Sequence, residues 1–60
     1  MRVDFTARIP GNHKRIKSFD LEAVPRQGEV VIIADIPREV HAVEWITDAD
    51  GVMFANVLLK

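Results

Sequence analysis

Apolar and polar residues alternate along much of this chain, and no alternating run goes far before proline or glycine interrupts it. Val3, Phe5, Ala7 and Ile9 fall on one side of Met1–Ile9, with Arg2, Asp4, Thr6 and Arg8 on the other. A repeat of two matches a half-buried antiparallel strand, because successive side chains of an extended backbone point to opposite faces. Pro10-Gly11-Asn12, Pro25-Arg26-Gln27-Gly28-Glu29 and Asp48-Ala49-Asp50-Gly51 separate the runs. Proline pre-sets φ there, while glycine and asparagine tolerate positive φ.

The runs between these breaks read as further strands. Phe19, Leu21 and Ala23 share a face, with Ile16 out of phase. Either a bulge near Lys17-Ser18 absorbs the mismatch, or the strand starts only at Lys17. Val30-Val31-Ile32-Ile33 is β-branched without alternation, which predicts a core strand covered on both faces. Asp35-Ile36-Pro37-Arg38 breaks it. Val40–Thr47 fits two patterns. As a strand it places His41, Val43 and Trp45 on one face and Val40, Ala42 and Ile46 on the other; as a helix over 36–46, Asp35 caps and Pro37 enters the first turn. Its valine, tryptophan, isoleucine and threonine favour the strand. Val52–Leu59 closes the chain, with Met53, Ala55, Val57 and Leu59 opposite Phe54 and Leu58.

With 60 residues only one small core can form, so residues 1–60 make a single domain. The chain has no cysteine, which removes disulfides and thiolate metal sites as sources of stability. Packing or assembly must supply it instead. The expected fold is all-β, a five-stranded barrel or meander of SH3-like or OB-like type; the alternative is α+β with the short helix at 36–46. No run approaches the roughly 20 apolar residues of a membrane helix, and Met1 to Phe5 does not read as a signal peptide. A cytoplasmic protein without a membrane partner is the expectation.

The layout Pro25-Arg26-x-Gly28-Glu29-x-Val31, then Val40-x-x-Val43-x-Trp45, then a glycine turn and a closing strand, resembles very short proteins encoded by phages, prophages and plasmids. Those look like small β-barrels without assigned activity. The resemblance covers Pro25 to Lys60 and transfers no catalytic residue. It implies an adaptor, or an inhibitor of a host protein.

Catalytic and cofactor constellations are missing from the pattern. Asp48-x-Asp50-Gly51 opens like a calcium loop, but Leu59 stands where a bidentate Glu would close it. His13 and His41 lie in separate segments with no cysteine to complete a zinc set. Ser18 has no glycine elbow, and Gly11, Gly28 and Gly51 are isolated turn residues rather than a phosphate loop. No enzymatic activity, metal or cofactor is expected.

Charge and apolar surface leave two binding readings. The segment Met1 to Lys17 holds five cations against Asp4, whereas Ser18 to Lys60 holds three cations against eight carboxylates; the net charge of −1 conceals this division. Such polarity suits a charged partner or self-association of unlike faces. The leading expectation is a protein-interaction module, self-associating as a homodimer or other homo-oligomer, with Trp45, Phe54, Leu58 and His41 at the interface. The alternative partner is nucleic acid, held by Arg8, Lys14, Arg15 and Lys17 around the first turn.

Overall fold

Among the described residues five strands account for the regular structure: β1 (Arg2–Ile9), β2 (Asn12–Asp20), β3 (Val30–Ile33), β4 (Ile36–Thr47) and β5 (Met53–Leu59). The computed structural model describes the backbone of residues 1–9 and 12–60 and the side chains of residues 1–7 and 14–60. The expected turn at Pro10-Gly11 lies outside the described residues. So do the side chains of Arg8, Ile9 and His13. The strands form one sheet in the order β2-β1-β5-β4-β3, curled into a half-barrel. The fold is all-β, and the helix alternative at 36–46 gives way to β4.

β1 and β5 pair in parallel at the centre of the sheet, Val3 beside Ala55 and Ala7 beside Leu59. All other pairs are antiparallel. The connection over residues 21–29 makes this order reachable. The Leu21 N–H donates to Met1 O at 2.8 Å, while at the other end the Gly28 N–H donates to Val40 O at 3.0 Å and the Val40 N–H to Glu29 O at 2.8 Å. The segment therefore crosses the open side of the half-barrel and delivers the chain to the far edge. Gly28 takes φ of 90° to make the last bend. Leu21 and Val24 pack down onto the core from this segment, so β2 ends at Asp20 and does not run on to Ala23.

The concave face holds the core. Val3, Phe5 and Ala7 of β1, Ala55, Val57 and Leu59 of β5, and Val40 of β4 are buried. Phe19 meets Phe5 edge to face, with ring centroids 5.7 Å apart. Both phenylalanines are thus packing residues.

Two bulges shape the sheet. Lys17 lies opposite Phe5 and Arg15 opposite Thr6, which leaves Ile16 as the extra residue of β2. The bulge reading of this segment is the correct one. In β4 the register slips between Val40 and Ala42, leaving His41 unpaired. That slip reverses the parity of the strand, so Val40 and Val43 both reach the core. Bulges bend a strand and increase its twist, and this one directs residues 36–39 back over the trough with β3.

The sequence expectation for β3 needs correction. It is an edge strand rather than a doubly covered one: Val30 and Ile32 are 60% and 67% exposed, and only Val31 and Ile33 turn inward. A short β-branched run satisfies an edge as readily as a centre, since propensity does not encode what covers the second face. The break after β3 is also shorter than expected. Ala34 and Asp35 alone form the turn, and Ile36, Pro37 and Arg38 continue into β4. Pro37 is tolerated because β5 pairs with β4 only from Val40 onward. With Val40 hydrogen-bonded toward Glu29, alternation along the strand turns the Pro37 nitrogen away from β3, where no ladder bond is lost.

Candidate interaction surfaces

On the convex face, Asp4 alternates with core residues and yet is only 6% exposed. Its burial is compensated from both sides. Arg2 donates from Nε to Oδ1 and from Nη2 to Oδ2, each at 3.1 Å, and Ser18 Oγ on β2 donates to Oδ1 at 2.5 Å. Arg15 Nη2 in turn donates to Ser18 Oγ at 3.1 Å. Burial is the largest single influence on the Asp4 carboxyl and pushes its pKa up. The Ser18 hydrogen bond, the Arg2 hydrogen bonds and charge, and the Arg15 charge together outweigh it and hold the pKa below the ordinary 3.8.

A second polar chain crosses the same face. Thr6 Oγ1 donates to Asn56 Oδ1 at 2.8 Å, and Asn56 Nδ2 donates to Glu44 Oε1 at 3.0 Å. Four strands are thereby linked by side-chain hydrogen bonds on a surface that also carries Phe54 and Leu58. Both are half-buried, and the Arg2 guanidinium covers Phe54 with its carbon 3.8 Å from the ring centroid.

The four residues expected at one protein interface do not share a surface. Trp45 pairs with Ala55 and so stands on the concave side, 53% exposed, whereas Ile46 pairs with Phe54 on the convex side. Trp45 borders a shallow groove with Val43 and the crossing segment at Val24 and Pro25. His41 sits at the bulge and is exposed. Glu39 nearby is held below its ordinary pKa by the hydrogen bond and charge of Lys60, whose Nζ lies 2.6 Å away, with a smaller contribution from His41.

The basic residues are also divided between faces. Lys14 pairs with Ala7 and Lys17 with Phe5, which places both on the concave side, and Lys17 Nζ lies 5.4 Å from the Phe19 centroid. Arg15 pairs with Thr6 and belongs to the convex network. Arg8 is outside the described side chains.

Asp48 serves the β4–β5 turn: its Oδ1 accepts from the Asp50 N–H at 2.9 Å and the Val52 N–H at 3.0 Å, and Gly51 takes φ of 81°. This is an Asx turn. Among the described residues no cluster of three His, Asp or Glu side chains could hold a metal. Among the described residues no helix is long and apolar enough to cross a membrane.

Two features were not foreseen in the sequence. One is the free edge of β3, whose outward Val30 and Ile32 continue beside Glu39 and Pro37 of β4. The other is a cleft of about 420 Å³ at the end of the trough that the crossing segment leaves uncovered. Ala7 and Leu59 form its floor; Ile16 borders it from β2, and Val31, Ile33 and Ile36 border it from the β3–β4 hairpin. Lys14 and Arg15 stand on the β2 side and Arg38 on the β4 side. The signal for the cleft was present in Ile16, an apolar residue out of phase with its strand.

No family model matches the chain, and neither a curated protein nor a solved structure matches it.

Proposed function

We propose that this chain is a non-enzymatic protein-interaction module that self-associates through the free edge of β3. The observation that carries the reading is the exposure of Val30 and Ile32 on a strand whose outer backbone edge has no partner strand among the described residues. Edge strands offer unpaired N–H and C=O groups to any other strand, and soluble proteins usually blunt them with lysine, proline, a bulge or a cover. β3 is short, at four residues, but Val30-Val31-Ile32-Ile33 carries no lysine or proline and pairs with β4 without a bulge. A second copy meets the requirement most simply, since two β3 strands pair antiparallel about a two-fold axis and bring the same patch of each copy together. Such pairing joins two half-barrels into one continuous sheet.

The nucleic-acid reading draws on Arg8, Lys14, Arg15 and Lys17; of the three whose side chains are described, Lys14 and Lys17 register with the concave side and Arg15 with the convex side, so the self-associating reading is preferred. The test is the solution mass of the full chain by sedimentation, compared with Ile32→Lys and Trp45→Ser. A dimeric parent, a monomeric and folded Ile32→Lys and a still dimeric Trp45→Ser support the β3 interface. A monomeric parent at tens of micromolar (a weak limit for specific pairing, about −6 to −7 kcal/mol) overturns it. So does an Ile32→Lys variant of unchanged mass.

A further inference from the structure

The cleft at the open end of the trough has the form of a ligand site. No Cα of β3 lies within 8 Å of β2 among the described residues, so the half-barrel stays open between its two edges. Apolar side chains that a closed barrel would enclose are left half-covered at this gap, with Ile16 38% and Ile36 54% exposed. At about 420 Å³ the cleft falls toward the small end of ligand pockets, which run from roughly 300 to 1,000 Å³. That size suits one alkyl chain better than a fused-ring or two-chain lipid.

Its charge is one-sided. Lys14 and Arg15 border it from β2 and Arg38 from β4, and no carboxylate lines the cleft among the described residues. Arg38 is half-buried and oriented by a hydrogen bond from Nη1 to Lys60 O at 3.0 Å. A guanidinium carries five N–H donors in a planar fork that matches a carboxylate, so one such bond leaves capacity for an anion.

We propose that this cleft binds a single-chain aliphatic carboxylate, with its alkyl chain against Ile16, Ile33 and Ile36 and its head group between Lys14 and Arg38. The proposal is independent of self-association, which uses the outward residues of β3 rather than the inward ones.

The experiment titrates dodecanoate, dodecanol and dodecyltrimethylammonium, all below micelle formation, into the 15N-labelled full chain. It is run on the parent and repeated in the Ile32→Lys background, so that failure of the β3 interface and failure of the cleft are read separately. The expected result is saturable one-to-one binding of dodecanoate with amide shifts concentrated at Ala7, Ile33, Ile36 and Leu59. Lys14→Gln combined with Arg38→Gln weakens that binding at least tenfold, and the alkylammonium ion shows no saturation. If Arg38→Gln disturbs the fold, Lys14→Gln alone, on an exposed side chain, carries the test with an expected weakening of about threefold. Non-saturable shifts, shifts centred on the Trp45 groove, equal binding of the cation, or an affinity indifferent to the lysine and arginine changes would overturn the proposal.

Discussion

Arg2 lies over Phe54 with its guanidinium carbon 3.8 Å from the ring centroid, and the same guanidinium grips both oxygens of Asp4. The parallel register of β1 and β5 puts the two residues side by side, since Val3 lies beside Ala55 one position later on each strand. An aromatic ring on a convex sheet face would otherwise be an open apolar patch. Here a cation shields it, and the aromatic quadrupole favours that arrangement.

Arg2→Lys should therefore be more damaging than its conserved charge suggests. An ammonium cannot hold both carboxylate oxygens and lie flat on the ring at once. The expected loss is about 1–2 kcal/mol in urea unfolding, from the weakened charge-assisted hydrogen bonds and stacking. Phe54→Leu retains apolar area and should lose only about 0.5–1 kcal/mol. Equal losses in the two variants would show that Arg2 acts through the ring alone.

Asp4 makes stability depend on acidity in a definite direction. Its folded pKa lies below the ordinary 3.8, so in acid the unfolded chain binds the proton more readily than the folded one. The stabilisation is complete above the unfolded value and is lost as pH falls through the folded value. Stability should decline as pH is lowered below about 4. Asp20 and Glu39 are shifted the same way, but both are solvated and contribute little. Asp4→Asn should be less stable at neutral pH and should flatten the acid limb of the profile. Parallel acid limbs in parent and variant would assign the dependence elsewhere.

The turn between β3 and β4 stores strain that substitution can remove. Ala34 and Asp35 have φ of 52° and 67°, and Ile33 pairs directly with Ile36 across them. Two successive positive-φ residues in a two-residue hairpin define a type I′ turn, which Asn-Gly fits best. Ala34 has a Cβ that disfavours this conformation. The double variant Ala34→Asn/Asp35→Gly should gain about 1 kcal/mol, or roughly 4–8 °C in thermal midpoint for a domain this small. No gain would mean that the strain is relieved within the unmutated turn.

Most of the strands were legible because their signals are local. Alternation in β1 and β5 identified Val3, Phe5, Ala7, Ala55, Val57 and Leu59, all of which are buried. Turn chemistry located Gly51. The features that escaped depend on distant partners. The exposed face of β3 looks the same in sequence whether or not a neighbour covers it. Asp4 reads as a solvated residue until Ser18 is brought across from β2. Trp45 and Phe54 looked like neighbours on one patch because nothing local fixes the relative register of β4 and β5. Pairing Trp45 with Ala55 rather than Phe54 sends the two aromatic side chains to opposite faces.

The bulge at Ile16 offers a test of how β2 specifies its own register. Lys17 opposes Phe5 and Arg15 opposes Thr6, so Ile16 can be removed without changing a single pairing on either side. A deletion elsewhere in the strand would instead shift every following side chain to the other face. The variant lacking Ile16 should therefore fold, with cross-strand contacts of Phe19 to Val3 and Lys14 to Ala7 retained in nuclear Overhauser spectra. Its β2 should be straighter, because the extra residue that bends the strand is gone. One wall of the cleft disappears with the isoleucine, so dodecanoate should bind severalfold more weakly even though Lys14 and Arg38 remain. Loss of the Phe19 contact, or a chain that fails to fold, would show that the bulge is needed to curl the sheet around its core and is not a tolerated insertion.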